Sequence, residues 1–146
     1  MDDKTDTSVR SEGAELYVQA YLMLELGIPT TLASRNMPGY DLIAHNIDTG
    51  INCRLQVKHR KAINSDGAKV KNFDFDFMVY VAGNIGTIGD KRPLEQQERR
   101  PREIYVIPVA LVRERINSYG LYKSPTRGGH EPYRNAWQCI RAFLDS

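Results

Sequence analysis

Asp41, Gln56 and Lys58 are the residues of this chain whose types and spacing best suit joint chemistry. Asp41 heads the apolar run Leu42-Ile43-Ala44, shortly after the turn Met37-Pro38-Gly39. Gln56 and Lys58 stand two apart in the run 51–59. Residues two apart on an extended strand share a face. Arg54, Gln56 and Lys58 therefore line one face, while Cys53, Leu55 and Val57 take the other and belong to a core. The runs 40–47 and 51–59 flank Asp48-Thr49-Gly50, a hairpin signal in which the glycine supplies a positive φ. Opposite residues of an antiparallel hairpin also share a face. Two registers set Asp41 across from Gln56 or from Lys58. The register between them sets it across from Val57, on the wrong face, unless a bulge intervenes.

A carboxylate, a neutral amide oxygen and an ammonium meeting at one sheet edge suit Mg²⁺, a hard cation that prefers oxygen ligands and keeps several waters. A water bound to such an ion loses its proton more readily, and charge on a phosphoryl oxygen is stabilised. A lysine beside that water orients it, or takes its proton if its own pKa is depressed. The set is suited to hydrolysing a phosphodiester.

The elements that must position these residues are legible in outline. Residues 11–26 read as a helix, with Ser11 as N-cap, Glu12 and Glu15 in the first turn where the helix dipole favours acids, and Gly27 and Pro29 as the stop. Residues 1–10 read as a flexible tail and 11–146 as one domain, as expected at roughly 150 residues per domain. Strands are expected at 30–34, 40–47, 51–59, 73–82 and 103–107, and helices at 108–116 and 133–144. Residues 60–72, 84–102 and 118–134 read as irregular, and a connection as long as 84–102 is usually functional or mobile. This order predicts an α/β chain on the border of α+β, with a central mixed sheet flanked by helices.

Hydrophobic residues make up 41% and charged residues 26%, which excludes a disordered chain. No apolar run approaches the ~20 residues that span a bilayer, and the acidic start Met1-Asp2-Asp3 is unlike a signal peptide, so a cytoplasmic protein without membrane association is expected. Cys53 and Cys139 make neither a disulfide framework nor a four-cysteine metal site. The net charge of +2 hides two basic blocks. Residues 54–71 carry six basic side chains against Asp66, and residues 91–102 carry five against Glu95 and Glu98. Such blocks suit a polyanion, although two solvated loops read the same way. His59, Arg60, Lys61, Lys69 and Lys71 in the first block, and Lys91, Arg92, Arg99, Arg100 and Arg102 in the second, are the expected backbone contacts to nucleic acid. Such contacts supply affinity and register rather than sequence choice.

The string Tyr40-Asp41-Leu42-Ile43-Ala44, a turn, then Leu55-Gln56-Val57-Lys58, preceded by Glu15 in the first helix, resembles the PD-(D/E)XK nuclease superfamily. It looks most like small members such as the group I intron homing endonucleases and Holliday junction resolvases. The resemblance covers residues 11–82, about half the chain. It implies a restriction endonuclease-like core with α-β-β-β order and a Mg²⁺-dependent DNA endonuclease, with Mn²⁺ able to replace Mg²⁺. By that resemblance Asp41, Gln56, the Val57 carbonyl and Glu15 are metal ligands, and Glu15, Asp41, Gln56 and Lys58 are catalytic. Glu12 is the substitute for Glu15. Two departures stand out: Gln56 replaces the usual acid, and Pro38 is three residues before Asp41. A catalytically inactive nucleic-acid-binding module with the same fold is therefore the alternative reading. A domain this small that cuts both strands is expected to work as a homodimer or higher homo-oligomer with two-fold symmetry.

Overall fold

The computed structural model describes residues 3–34 and 39–146. The Met37-Pro38-Gly39 turn therefore lies partly outside the described residues. The elements run α1 (Asp3–Leu26), β1 (Thr30–Leu32), β2 (Leu42–His45), β3 (Asn52–His59), β4 (Gly67–Lys69), β5 (Phe77–Val81), β6 (Ile104–Pro108), α2 (Val109–Arg115), β7 (Leu121–Lys123) and α3 (Gln138–Leu144), with short 3-10 turns between. Five strands form one mixed sheet in the order β1-β2-β3-β5-β6. The β3–β5 pair is parallel and the other pairs are antiparallel. Helices cover both faces, as a nuclease-like α+β fold requires.

Apolar side chains of α1 and α3 pack on one face of the sheet. Val18, Leu22, Trp137 and Ile140 meet Leu42, Cys53, Leu55, Val79 and Val106 there. Tyr21 stacks on Trp137 with ring centroids 4.3 Å apart, which ties α3 to α1. On the other face Met78, Tyr80, Tyr105 and Ile107 meet Val112 of α2, with Ala68 of β4 and Tyr122 of β7. β5 lies between two cores and is buried at every position, so it reads as a continuous apolar run rather than an alternating one.

Three features differ from the sequence reading. The first helix starts at Asp3, so residues 3–10 are helical where a tail is expected and Ser11 stands inside the helix rather than capping it. The Asp6–Arg10 ion pair, at 3.0 Å and one turn apart, supports that extra length. The last helix starts at Gln138 rather than residue 133, because Asn135 takes a positive φ of 51° and donates its N–H to the Ile104 carbonyl. Third, the loops 60–72 and 118–134 are not wholly irregular: β4 and β7 pair with each other as a separate two-stranded sheet.

Candidate active site

The hairpin register decides whether the three chemical side chains can meet. Leu42 pairs with Leu55 and His45 with Asn52, the register that sets Asp41 across from Gln56. The ladder ends at Leu42↔Leu55, yet β3 runs on to His59. Val57 thus lies beyond the last rung, with no strand partner on that side. The Asp41 carboxylate fills the gap: its Oδ2 accepts the Val57 N–H at 2.8 Å and the Gln56 Nε2–H at 2.9 Å. The Asp41 N–H donates to the Leu55 carbonyl at 2.8 Å, which fixes the backbone from which that carboxylate projects. Asp41 Oδ1 accepts no hydrogen bond from any described residue. Within a strand, N–H and C=O of one residue project the same way, so the Val57 carbonyl faces the same gap.

Chain continuity at Gly39 permits this. Gly39 has a φ of +96°, and a Cβ there would sit 2.7 Å from Asn72 Oδ1 and 2.7 Å from Asp74 Cβ. A larger residue would push the following segment, and Asp41 with it, off the sheet edge.

Glu15 reaches the same place from α1. Glu12, Glu15, Leu32, Ser34, Tyr40 and Asp41 line one cleft of about 510 Å³. Burial, then the neighbouring Asp41 carboxylate, then Glu12, push the Glu15 carboxyl up to about 7. Asp41 is also raised, by burial; the Val57 N–H and the Lys58 ammonium pull against that. Lys58 is lowered by burial, with Asp41 opposing and Arg60 and Lys71 assisting. Carboxyls driven toward their neutral forms describe a cleft short of positive charge, and Lys58 beside it releases its proton more readily than an ordinary lysine.

The donor set fits a hard divalent cation. Glu15 and Asp41 offer carboxylate oxygens and Val57 a carbonyl, and Gln56 would add its amide oxygen once the amide, which now turns its N–H to Asp41, is rotated. Among the described residues, no three His, Cys, Asp or Glu side chains gather tightly enough to hold a metal by themselves. The amide and the carbonyl are therefore needed to complete the set.

The basic candidates divide. Lys69 and Lys71 are exposed, and the charges of Lys71 and Arg60 act on Lys58, beside the cleft. Arg60 donates its Nε–H to the Gly67 carbonyl at 2.6 Å and is held within its own loop. Arg92 is bound to Asp90 at 2.7 Å and Arg100 to Glu98 at 3.2 Å, so local acids neutralise part of the second block. Lys91 and Arg99 are exposed, and Lys61 is half-buried. His59 and Arg102 line a second, smaller cleft with Arg10 and Tyr17, where the Arg102 guanidinium lies 5.8 Å from the Tyr17 ring. Burial, then Arg102, Arg10 and Arg60, push His59 down to about 4, so at neutral pH it is an uncharged hydrogen-bonding group rather than a cation. The sequence reading misses Arg10, because it falls in the segment read as a tail. Once α1 is extended to Asp3, Arg10 lies one and two turns from Ala14 and Tyr17, on one helix face.

Two other histidines have local roles. His45 joins Thr31 Oγ1 at 2.9 Å and Asn52 Oδ1 at 2.8 Å across three strands. His130 is buried between Tyr122 Oη at 2.6 Å and the Gly128 carbonyl at 3.0 Å.

The chain as a whole is similar to a solved structure, that of the bacterial homing endonuclease I-Ssp6803I. The TM-score is 0.53 and the identity 22%, over 93% of this chain and 92% of that one. The likeness is one of fold, and it extends well past the half of the chain that the sequence motifs cover. No family model matches the chain, and no curated protein matches it. No helix among the described residues is long and apolar enough to cross a membrane.

Proposed function

We propose that this protein is a divalent-metal-dependent endonuclease that hydrolyses phosphodiester bonds of DNA. The observation that carries this reading is the notch at the end of β2, where the Asp41 carboxylate lies on Gln56 and the Val57 N–H with Lys58 and Glu15 acting on it electrostatically. The likeness of fold to a bacterial homing endonuclease supports the reading, as does the resemblance of Asp41 and Gln56-Val57-Lys58 to the PD-(D/E)XK pattern.

Asp41, Gln56, the Val57 carbonyl and Glu15 would hold Mg²⁺, with Mn²⁺ as a substitute. When bound, that ion supplies Lewis-acid stabilisation of phosphoryl charge and a more acidic water. The protein residues do the positioning. The Asp41 backbone, tied to Leu55, keeps its carboxylate at the strand end. Lys58, with its pKa lowered, orients the attacking water and accepts its proton at Nζ. Glu15 loses its proton near neutral pH as positive charge enters the cleft. Lys71, Lys69 and the exposed cations of 91–102 hold the DNA backbone, and a two-fold homodimer brings a second site to the other strand.

Incubating the protein with linear, branched, nicked and single-stranded DNA tests this. Cleavage that requires Mg²⁺ or Mn²⁺ and is lost in Lys58→Ala, with DNA binding kept, is the expected result. The alternative, an inactive DNA-binding module, is favoured by one observation: Gln56 is neutral and turns its amide N–H, not its oxygen, toward Asp41. Salt-sensitive binding with no cleavage of any substrate would establish the alternative instead.

A further inference from the structure

The β4–β7 ribbon is a separate two-stranded sheet that packs one face into the second core. Ala68 and Tyr122 are paired across it and are 0% and 1% exposed, which anchors its inner face in the second core. Lys69 and Lys123 alternate with them and are exposed on the outer face. Hydrogen bonds lengthen the ribbon at both ends, from Val70 N–H to Gly120 and from Ser124 N–H to Asp66, each 2.8 Å. Gly67 makes the close pairing possible, because a Cβ there would sit 2.0 Å from the Tyr122 carbonyl oxygen.

The tip is hydrogen-bonded as well as exposed. Asn117 Oδ1 accepts the N–H groups of Tyr119 and Leu121, each at 2.9 Å. The Tyr119 side chain above them is 84% exposed. At the far end Arg127 is exposed and held by Asp66 at 2.8 Å. A fixed two-stranded ribbon thus presents Lys69, Lys123 and Arg127 along its outside and an uncovered aromatic at its tip.

Its position ties it to the cleft. Arg60, just past Lys58 on the same chain segment, donates to the Gly67 carbonyl. The chain leaving the ribbon passes Asn72, which crowds Gly39 immediately before Asp41. Ribbon and notch therefore lie side by side.

Resting on the endonuclease reading above, we propose that the β4–β7 ribbon enters the major groove of duplex DNA, with Lys69 and Lys123 contacting base edges and phosphates and Tyr119 packing against the groove wall. The major groove of B-form DNA, about 12 Å wide, admits a two-stranded ribbon. Three paired residues per strand span about 10 Å, enough for a few base pairs. A-form RNA has a major groove too narrow for it.

The test selects binding sites from a randomised duplex DNA library without divalent ions, then maps guanine N7 by dimethyl sulfate, which reads the major groove. The parent protein is expected to select a shared sequence, protect N7 positions within it and bind the matching RNA duplex at least ~10-fold more weakly. Lys123→Ala and Tyr119→Ala should lose the preference and the N7 protection while keeping the parent's thermal midpoint, since both side chains are exposed, and should still cut DNA with Mg²⁺. Variants that keep the parent's selected sequence and N7 protection overturn the ribbon inference and leave the endonuclease reading intact. Ribbon-dependent N7 protection by a parent that never cuts supports the ribbon and overturns the endonuclease reading. A parent that binds no duplex DNA overturns both.

Discussion

Glu15 is the residue whose behaviour departs furthest from its ordinary value in a way that bears on the cleft. Its folded pKa of about 7 lies above the usual 4.5. The folded protein therefore holds a proton that the unfolded chain has lost, and stability falls as pH rises from 4.5 through 7, then levels off. Glu15→Gln removes that loss. Thermal midpoints of variant and parent should coincide near pH 4 and separate by pH 8, with the variant higher; equal midpoints at both pH values would refute the placement of Glu15. In the parent, added Mg²⁺ should raise the midpoint more at pH 8 than at pH 6, because binding must displace the Glu15 proton. Lys58→Ala should cut turnover by about 10²–10⁴-fold, the range of a positioned acid–base group, with DNA affinity little changed. His59, uncharged when free, should shift toward its usual 6.5 when a phosphate lies between Arg10 and Arg102, and imidazole NMR with and without DNA reads that shift directly. Asp41, Gln56 and Lys58 were legible in the sequence because strand alternation leaves few faces to choose from. Arg10 was not, because its helix lacks an obvious start.

At the scale of elements, the hairpin and its turn are carried by local chemistry, and Gly50 takes the positive φ of 76° that such a turn needs. The pairing register was open in the sequence, since the Asp-Thr-Gly turn permits more than one. Packing excludes the intermediate register, which would turn Leu42 and Ala44 away from the face of Cys53 and Leu55; of the two that remain, the structure takes the one pairing Leu42 with Leu55 and Ala44 with Cys53 in the first core. β4 and β7 were invisible for a different reason. Each is three residues long and finds its partner more than fifty positions away, so neither carries a period of its own. Trp137, immediately before the C-terminal helix, stacks on Tyr21 of α1, the helix that carries Glu15. Trp137→Ala should cost about 3–5 kcal/mol in urea unfolding, the usual cost of emptying such a position. A loss under 1 kcal/mol would mean that α3 does not clamp α1.

For the molecule as a whole, mixed sheet and flanking helices follow from the order of apolar runs, and the similar structure matches over nearly the full chain. Net charge of only +2 says little about partners, because Arg92 and Arg100 are spent on neighbouring acids while Lys69, Lys71 and Lys123 remain exposed. DNA affinity should therefore fall steeply with salt, with a slope set by the exposed cations that no local acid pairs, so Arg92→Ala should leave the slope unchanged and Lys71→Ala should reduce it by about one. Sedimentation equilibrium of the complex should return the mass of two 16.6 kDa chains plus one DNA duplex, as two sites on two strands demand.

Crystals soaked in Mn²⁺ and measured for anomalous scattering test the central claim most directly. A single strong peak among the oxygens of Asp41, Gln56 and Val57, with Lys58 Nζ one water away, is the predicted result. A map without that peak, in which Gln56 still donates to an uncoordinated Asp41, would contradict it.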